Sequence, residues 1–286
     1  MSSPHDAAGP SGRISLQASA DDVRRSLKDL LSAHALTDAA WLGGELSLTP
    51  GTAFFFGYQC AMRCVDPALR PDQWAAFCVS EKGVKSLRDM STVYAAESGL
   101  SGVKSHAMLA GRGLDTCYVI ARAADDPGQL VCVVATPDSS GVQIHDSGKP
   151  QPFMTDLPHL ALSFADTPAR FFCADANERL NKPFRCWEDV HGVLALAAWV
   201  ASWLPAEQAL PMRQQADVLA KAFAVDTSGY RLPVLNAVEA LFALTDELSA
   251  SLPTEQKALW QRDRMLMVFT QALRAKIREK LSAQSR

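Results

Sequence analysis

The sequence lacks an apolar stretch long enough to cross a membrane. Its densest apolar run, Val193 to Leu204, spans about a dozen residues, whereas a helix that crosses a bilayer needs about 20. The opening residues, Met1 to Leu16, also lack the basic start and apolar core of a secretory signal. We therefore expect a cytoplasmic protein without a membrane span.

An excess of positive charge is also missing. The 286 residues carry 28 Lys and Arg against 31 Asp and Glu, which gives a net charge of -3. Proteins that bind nucleic acid through its phosphates present a basic surface, so this composition predicts no nucleic-acid partner. The 48% hydrophobic and 21% charged content is typical of an ordinary globular protein.

The cysteines form neither a disulfide framework nor a metal site. There are seven, an odd and scattered set that is typical of reduced thiols in a core. Cys60 and Cys64 are spaced to share one face of a helix, but no second Cys or His pair completes a tetrahedral site. The sequence therefore predicts no metal.

Common catalytic motifs are absent as well. There is no Gly-x-Ser-x-Gly elbow, no phosphate-binding loop ending in Gly-Lys-Ser/Thr and no His-Glu-x-x-His. The run Gly111-Arg112-Gly113 is compatible with a turn between strands or with a backbone contact to phosphate. The function must therefore be sought in less general patterns.

The hydrophobic pattern changes period twice along the chain. We expect a disordered N-terminus over 1–18, a short helical region over 19–73, short strands over 74–176 and a helical bundle over 184–286. A linker is expected near 177–183. The four helices of the bundle are expected over residues 187–204, 206–224, 233–252 and 254–282.

Two stretches within the strand region carry the most specific pattern. The run from Phe77 to Ser86, followed by the run from Leu100 to Lys104, resembles the paired signature of the middle domain of acyl-CoA dehydrogenases. That resemblance implies an α+β multidomain fold: a short helical N-terminal region, an antiparallel β-barrel middle domain and a C-terminal four-helix bundle.

The resemblance also implies a cofactor and a substrate. In the family the first run contacts the flavin and the acyl-CoA, and the residues after the second run cover the flavin ring. Here Lys82 and Lys85 replace the Pro and Gly of the family pattern. Ser86 matches the Ser that contacts acyl-CoA. The positions that would contact FAD are Phe77, Val79, Ser80, His106 and Met108.

The activity implied is an FAD-dependent oxidation of an acyl-CoA thioester at its α,β bond. This reaction needs a carboxylate base, which the family presents from its helical C-terminal domain. No motif assigns that base here. Glu239 lies nearest the apolar stripe of its helix, and the other acids considered are Glu207, Asp226, Asp246, Glu247 and Glu255. The alternative is a non-catalytic protein of the same fold that binds a ligand or a partner subunit.

One helix predicts self-association. The segment 187–204 carries three tryptophans, Trp187, Trp199 and Trp203, and is apolar around most of its circumference. A small four-helix bundle buries only one face of such a helix, and an apolar surface left over is typical of a subunit contact. We therefore expect a homo-oligomer.

Overall fold

The protein combines one mixed β-sheet with helices that precede and follow it. The computed structural model describes residues 12–146, 148 and 151–284. The helices within these residues are α1 (Ala20–Ala33), α2 (Leu36–Leu46), α3 (Pro50–Val65), α4 (Lys182–Ala201), α5 (Ala206–Ala224), α6 (Leu232–Leu248), α7 (Thr254–Asp263), α8 (Met265–Phe269) and α9 (Gln271–Gln284). The strands are β1 (Ala75–Cys78), β2 (Val93–Ala95), β3 (Gly99–Met108), β4 (Thr116–Ala123), β5 (Leu130–Ala135), β6 (Val142–His145), β7 (His159–Thr167) and β8 (Arg170–Cys173).

Three helices open the chain, and local capping explains where two of them begin. The Ser19 side chain accepts a hydrogen bond from the backbone N–H of Asp22 at the start of α1. At the start of α3 the Thr49 side chain accepts one from the backbone N–H of Thr52, and Pro50 fits the first turn. All three helices lie within the helical region expected over 19–73.

The expectation of disorder over 1–18 is wrong for its last residues. Ile14 forms a parallel bridge with Ser47, and the Leu16 side chain is buried in the core. The Arg13 guanidinium donates to the Ser202 carbonyl at 2.8 Å, at the end of α4. The earlier part of that prediction, residues 1–11, lies outside the described residues.

The sheet is open and mixed, so the antiparallel barrel expected from the sequence is wrong. Its strand order is β6-β7-β3-β2-β4-β5-β8, with β1 also paired to β4, and the two end strands β6 and β8 do not pair with each other within the described chain. The β1–β4 and β2–β4 pairs are parallel. A parallel pair needs a crossover connection instead of a hairpin, and strand patterning does not specify that choice.

Helix α4 is shared between the two helical regions, so the separate C-terminal four-helix bundle expected from the sequence is not confirmed. The helix packs most extensively against α2 and α3 and also contacts α5 and α6. The segment expected as one helix over 254–282 is divided into α7, α8 and α9. Near the second break the Thr270 hydroxyl donates to the Met267 carbonyl at 3.1 Å, a local bond that competes with helical pairing.

Because α2 and α3 cover it, α4 leaves no broad apolar face for a partner. Trp199 is fully buried and Trp187 is nearly so, and only Trp203 is partly exposed. The surface on which the expectation of a homo-oligomer was based is therefore inside the chain. Self-association stays a prediction that this helix no longer supports.

Other sequence expectations concern the linker, the thiols and the membrane. Residues Asn177–Asn181, expected in a linker, form a π-helix that leads directly into α4. All seven cysteines are free thiols, and six of them are buried. Within the described residues, none of the helices has the length and apolar character that crossing a bilayer requires.

Two glycines allow the close packing of α4 against its neighbours. A Cβ atom added to Gly44 of α2 would lie 2.1 Å from the Ala195 carbonyl oxygen, and one added to Gly57 of α3 would lie 2.4 Å from the His191 carbonyl oxygen. Both obstructing atoms belong to the α4 backbone, which cannot move aside as a flexible side chain can. The absence of a side chain at these positions therefore sets the helix spacing.

We expect Gly44→Ala to destabilise the fold by about 2 kcal/mol in denaturant unfolding, the usual cost of overpacking. A loss of stability would be informative because helix propensity alone predicts a gain: Ala is intrinsically better than Gly in a helix by about 1 kcal/mol. Gly128→Ala is the matched control, since the nearest atom there belongs to the Asp126 side chain. Stability of Gly44→Ala equal to or above that of the control would contradict the close approach.

Candidate functional site

The two sequence stretches with the family pattern meet at one end of β1. After β1 the chain enters a loop, and the Ser80 carbonyl accepts hydrogen bonds from the backbone N–H of Ser105 at 2.8 Å and from the Ser105 hydroxyl at 3.1 Å. Ser105 lies in β3, where the pairing register with β7 shifts between Lys104 and Ala107. This bulge turns the following side chain, His106, out to solvent.

A buried ion pair joins the same two segments. The Lys104 ammonium lies 2.8 Å from the Glu81 carboxylate, and the two side chains are 0% and 3% exposed. Lys104 also donates to the Val79 carbonyl at 3.2 Å. Burying two charges is costly unless they are paired and their remaining hydrogen bonds are satisfied. Because Lys104 lies in β3, its two contacts hold the end of β1 and the following loop against that strand.

The rest of the Glu81 carboxylate is satisfied by the far end of the loop. It accepts hydrogen bonds from the backbone N–H of Ser91 at 2.6 Å, from the Ser91 hydroxyl at 2.7 Å and from the backbone N–H of Thr92 at 3.1 Å. One carboxylate thus closes the loop from residue 81 to residue 92 on itself. The exposed residues between these points are held at both ends.

Hydrogen bonding decides the charge state of Glu81. Burial on its own would raise the pKa of this carboxyl, but the bonds from Lys104, Thr92 and Ser91 outweigh it and hold the pKa at about 2. Burial lowers the pKa of Lys104, and Glu81 opposes that change. Because the folded pKa of Glu81 is depressed, its contribution to stability is present above the ordinary value of 4.5 and is lost as the pH falls towards 2.

The five residues expected to contact FAD do not share one environment. Ser80 and His106 are exposed, Val79 is half-buried, and Phe77 and Met108 are buried. The backbone N–H of Phe77 donates to the Tyr58 hydroxyl at 2.8 Å, so that donor is already occupied. The Met108 side chain is buried in the core.

The exposed pair, Ser80 and His106, leaves polar groups at the surface. The Ser80 hydroxyl makes no hydrogen bond within the described chain and lies beside the strand that carries His106. The His106 ring contacts only the Ser105 hydroxyl, at 3.0 Å. Two polar groups with donor and acceptor capacity therefore remain available at this position. The buried members, Phe77 and Met108, would support the strands without contacting a ligand.

Aromatic packing links this position to helix α4. The ring centroids of Phe77 and Phe184 are 4.6 Å apart, and those of Tyr58 and Phe184 are 5.6 Å apart. Glu188 follows Phe184 by one helical turn, and residues at that spacing lie on the same side of a helix. The negative charge of Glu188 acts on the Tyr58 hydroxyl, which places this carboxylate beside the aromatic cluster.

Glu188 is the one glutamate of the described chain whose pKa is strongly raised. Burial raises it to about 8, the adjacent Asp189 adds to the rise, and Arg185 partly opposes it. Within the described residues the Glu188 carboxylate makes no hydrogen bond or ion pair, although part of the side chain reaches solvent. A carboxyl that gains and loses its proton near neutral pH has the property required of a general base.

The neighbouring acid, Asp189, is in a different situation. It is buried, accepts a hydrogen bond from the Tyr230 hydroxyl and lies 3.1 Å from the Arg274 guanidinium. Burial raises the pKa of Asp189, while Arg274 and Tyr230 oppose the rise. Glu188 lies on the same turn of α4 as Asp189. The contacts of Asp189 attach this turn to α9 and to the start of α6.

The sequence analysis considered other acids and did not consider Glu188. Glu239, the preferred one, forms an ion pair with Arg278 and lies 4.0 Å from Arg274, so its charge is compensated. Asp226 and Asp246 are also ion-paired. Glu207, Glu247 and Glu255 are exposed. The available signal for Glu188 was a carboxylate in the helix that carries the densest apolar run of the chain.

Ser86, the residue expected to contact acyl-CoA, lies on a surface groove. It caps a short 3-10 helix (Leu87–Asp89), and its hydroxyl accepts a bond from the backbone N–H of Arg88 at 3.3 Å. The groove holds about 730 Å³. It adjoins a second pocket of about 550 Å³, and the two share Leu87, Asn177 and Glu178. Arg185, three residues before Glu188, lines the second pocket.

Two further residues, His191 and Arg112, have structural roles. His191 is fully buried, and its Nδ1 lies 2.7 Å from the Trp187 carbonyl; burial lowers its pKa to about 4. Arg112, between two glycines with left-handed backbone, donates to the Leu16 carbonyl at 3.1 Å, which agrees with a turn. No group of three or more His, Cys, Asp and Glu side chains in the described ranges is arranged to hold a metal ion.

The comparisons with known proteins agree on the fold. A nitrososynthase from Micromonospora carbonacea var. africana is 16% identical, with a TM-score of 0.65, covering 96% of this chain and 90% of that one. FkbI, for biosynthesis of the methoxymalonyl extender unit of the Fk520 polyketide immunosuppressant, is 15% identical, with a TM-score of 0.59, covering 96% and 94%. Butyryl-CoA dehydrogenase from Megasphaera elsdenii is 12% identical, with a TM-score of 0.55, covering 84% and 91%. The chain has the acyl-CoA dehydrogenase fold.

Sequence comparison adds nothing to this structural likeness. No protein-family model matches the chain, and no curated protein matches it. The acyl-CoA dehydrogenase fold expected from two short motifs is thus confirmed by structure alone. At these identities the likeness concerns the fold, and the chemistry must be argued from the residues of this chain.

We expect Lys104→Met to destabilise the protein by about 3 kcal/mol or more in denaturant unfolding, because Glu81 would remain buried without its partner. The double variant with Glu81→Gln should lose less than Lys104→Met alone. Lys85→Met, on the exposed part of the same loop, is the control and should be nearly neutral. A loss in Lys104→Met no larger than in the control would refute the role assigned to the pair.

Proposed function

We propose that the protein is a flavoprotein that oxidises an acyl-CoA thioester at its α,β bond, with Glu188 as the base. The observation that carries the proposal is the position of this unpaired carboxylate on α4, one turn from Phe184. The Phe184 ring packs on Phe77, at the strand end that the family resemblance assigns to FAD. The proposed base, Glu188, and the expected flavin position at the end of β1 would then lie on opposite sides of the contact between Phe184 and Phe77.

Ser80 and His106 would hold the polar edge of the FAD ring system. Bound there, FAD would supply the hydride acceptor for the β-carbon of the substrate. The buried pair of Lys104 and Glu81 would contribute indirectly, because it fixes the strand and the loop that carry the two contacting residues. Preorganised groups are worth more than mobile ones at such a site.

Glu188 would remove the proton from the α-carbon. The pair of electrons left by that proton forms the new α,β double bond as the β-hydrogen departs as hydride, so the product is an enoyl thioester and the carboxyl of Glu188 carries the proton. A base must be ionised before it can act. Since its pKa is raised to about 8, the rate should increase with pH through that value.

The thioester would lie in the groove beside Ser86. The Ser86 hydroxyl retains acceptor and donor capacity beyond its 3.3 Å contact with the backbone N–H of Arg88. The adjoining pocket is lined by Arg185, whose charge acts on Glu188. A ligand extended from the groove into the pocket would reach Arg185, three residues before the proposed base on α4, although Glu188 itself does not line either cavity.

A non-catalytic protein that binds a ligand or a partner subunit is the second candidate. It is favoured by the burial of Phe77 and Met108, which leaves only part of the expected flavin contact. The same groove and pocket could then bind a thioester without redox chemistry. Flavin content decides between the two candidates.

The proposed activity predicts a yellow protein whose colour responds to substrate. Purified protein incubated with FAD and desalted should retain flavin absorption, and anaerobic addition of an acyl-CoA should bleach it. Glu188→Gln should retain flavin but bleach at least 100-fold more slowly, since general bases contribute about 10² to 10⁴ in rate. Glu247→Gln, an exposed carboxylate on α6, is the control. Protein that never retains flavin would exclude the oxidation and leave the binding function.

Glu188 should also make stability depend on pH. Its folded pKa of about 8 exceeds the ordinary 4.5, so the folded state holds an extra proton between these values, and stability falls as the pH rises through that window. Glu188→Gln stays neutral and should be more stable than the unmodified protein at pH 9, by roughly 2 kcal/mol after allowance for its partial exposure. Denaturant unfolding from pH 5 to 9 measures this. A pH-independent difference between the two proteins would contradict the raised pKa.

A further inference from the structure

The pocket next to the Ser86 groove has an uncompensated positive charge. Three cations line it, Lys182, Arg185 and Lys280, with Glu178 as the one carboxylate. Glu178 forms an ion pair with Lys182, its i,i+4 neighbour. The Arg185 guanidinium and the Lys280 ammonium make no hydrogen bond or ion pair in the part of the chain that the structure describes. Arg185 acts on Glu188 and Lys280 acts on Glu178 only at longer range. The pocket thus has three cations against one carboxylate, and two of these cations are free to form direct contacts with a ligand.

Part of the pocket wall is apolar, beside the polar residues Asn177, Asn181, Ser228 and Tyr230. Pro183 of α4 is buried, and Leu273 and Ile277 of α9 are half-buried, with Leu87 at the boundary with the groove. A volume of about 550 Å³ falls in the range of small-molecule sites, which combine apolar walls with a few convergent polar groups. The walls and cations together fit an organic anion with an apolar body.

The order of the two cavities suggests which part of a thioester enters each. Ser86, the thioester contact implied by the family resemblance, lines only the groove, whereas Arg185 and Lys280 line only the pocket. The groove has polar and backbone-rich walls around Gly128 and Asp175, and these suit the polar carrier arm. The acyl group would then extend over the apolar walls of the pocket towards the two cations.

Resting on the proposed function, we infer that the protein selects thioesters whose acyl group ends in a carboxylate. Arg185 and Lys280 bind that carboxylate, while Leu273 and Ile277 contact the carbons between it and the thioester. A charged acyl end pays for its loss of water by forming charge-assisted hydrogen bonds. An uncharged acyl end leaves both cations as they are in the free protein, so it gains only the apolar contact.

Calorimetric titration with three ligands tests the inference. Two are acyl-CoA thioesters of equal chain length, one with a terminal carboxylate and one with a methyl end, and the third is free CoA. The unmodified protein should bind the carboxylate-ended thioester about tenfold more tightly than the methyl-ended one. This is the gain in affinity expected from one charge-assisted hydrogen bond. Arg185→Gln should abolish this preference and leave the affinity for the methyl-ended thioester unchanged.

The matched control is Lys276→Gln, an exposed lysine one turn before Lys280 on α9 that does not line the pocket. This variant should keep the full preference, and thermal unfolding should confirm that both variants fold. Lys280→Gln should reduce the preference in the same direction as Arg185→Gln.

The outcomes separate this inference from the proposed function. Equal affinity for the two thioesters would overturn the inference and leave the thioester site intact. If Arg185→Gln weakened free CoA and both thioesters alike, the cations would serve the CoA phosphates, which also overturns it. Failure of every ligand to bind the unmodified protein would discard the thioester site and the inference together.

Discussion

The buried pair between Lys104 and Glu81 is the constraint on which the candidate site depends. The two side chains are 0% and 3% exposed. Glu81 accepts further hydrogen bonds that hold the loop between residues 81 and 92 closed, and Lys104 donates to the Val79 carbonyl at the end of β1. Such a pair adds little stability over a well-packed apolar pair, but breaking it leaves a charge stranded in the core. Its value here is positional, because it brings Ser80 and His106 to the same edge of the sheet.

Helix α4 supplies the second half of the site and is equally constrained. Gly44 and Gly57 bring its backbone against α2 and α3, while Asp189 ties it to Arg274 on α9. Between these contacts, Glu188 makes no hydrogen bond or ion pair within the described residues, and Arg185 only partly opposes the effect of burial on its pKa. A carboxylate held in this way keeps its proton more strongly than usual, which is the property that the proposed chemistry uses.

Some of this arrangement could be read from the sequence and some could not. The two motifs located the loop and the strand, and the acyl-CoA dehydrogenase fold followed from them. The contact between Lys104 and Glu81 was not foreseen, because motif letters do not state which side chains meet. Helix α2 forms although Gly43 and Gly44 lower helix propensity, because packing on α4 overrides that preference. Glu188 was missed because no motif marks it, and its burial depends on how the helices pack.

The open sheet and the divided bundle have a common explanation. Alternating apolar residues predict a strand but not its partner, so the parallel pairing of β1 with β4 depends on tertiary contacts alone. The apolar circumference of α4 was correctly recognised, yet an apolar surface does not say whether the chain itself or a second subunit covers it. Here α2 and α3 do so.

A crystal structure with FAD and a non-reactive thioether analogue of an acyl-CoA would test the central claim most directly. The account predicts that the flavin edge contacts Ser80 and His106, and that a Glu188 carboxylate oxygen lies about 3 Å from the carbon equivalent to the substrate α-carbon, the reach expected of a base. A ligand bound in this groove with Glu188 turned away from it, or a flavin bound elsewhere on the chain, would contradict the account.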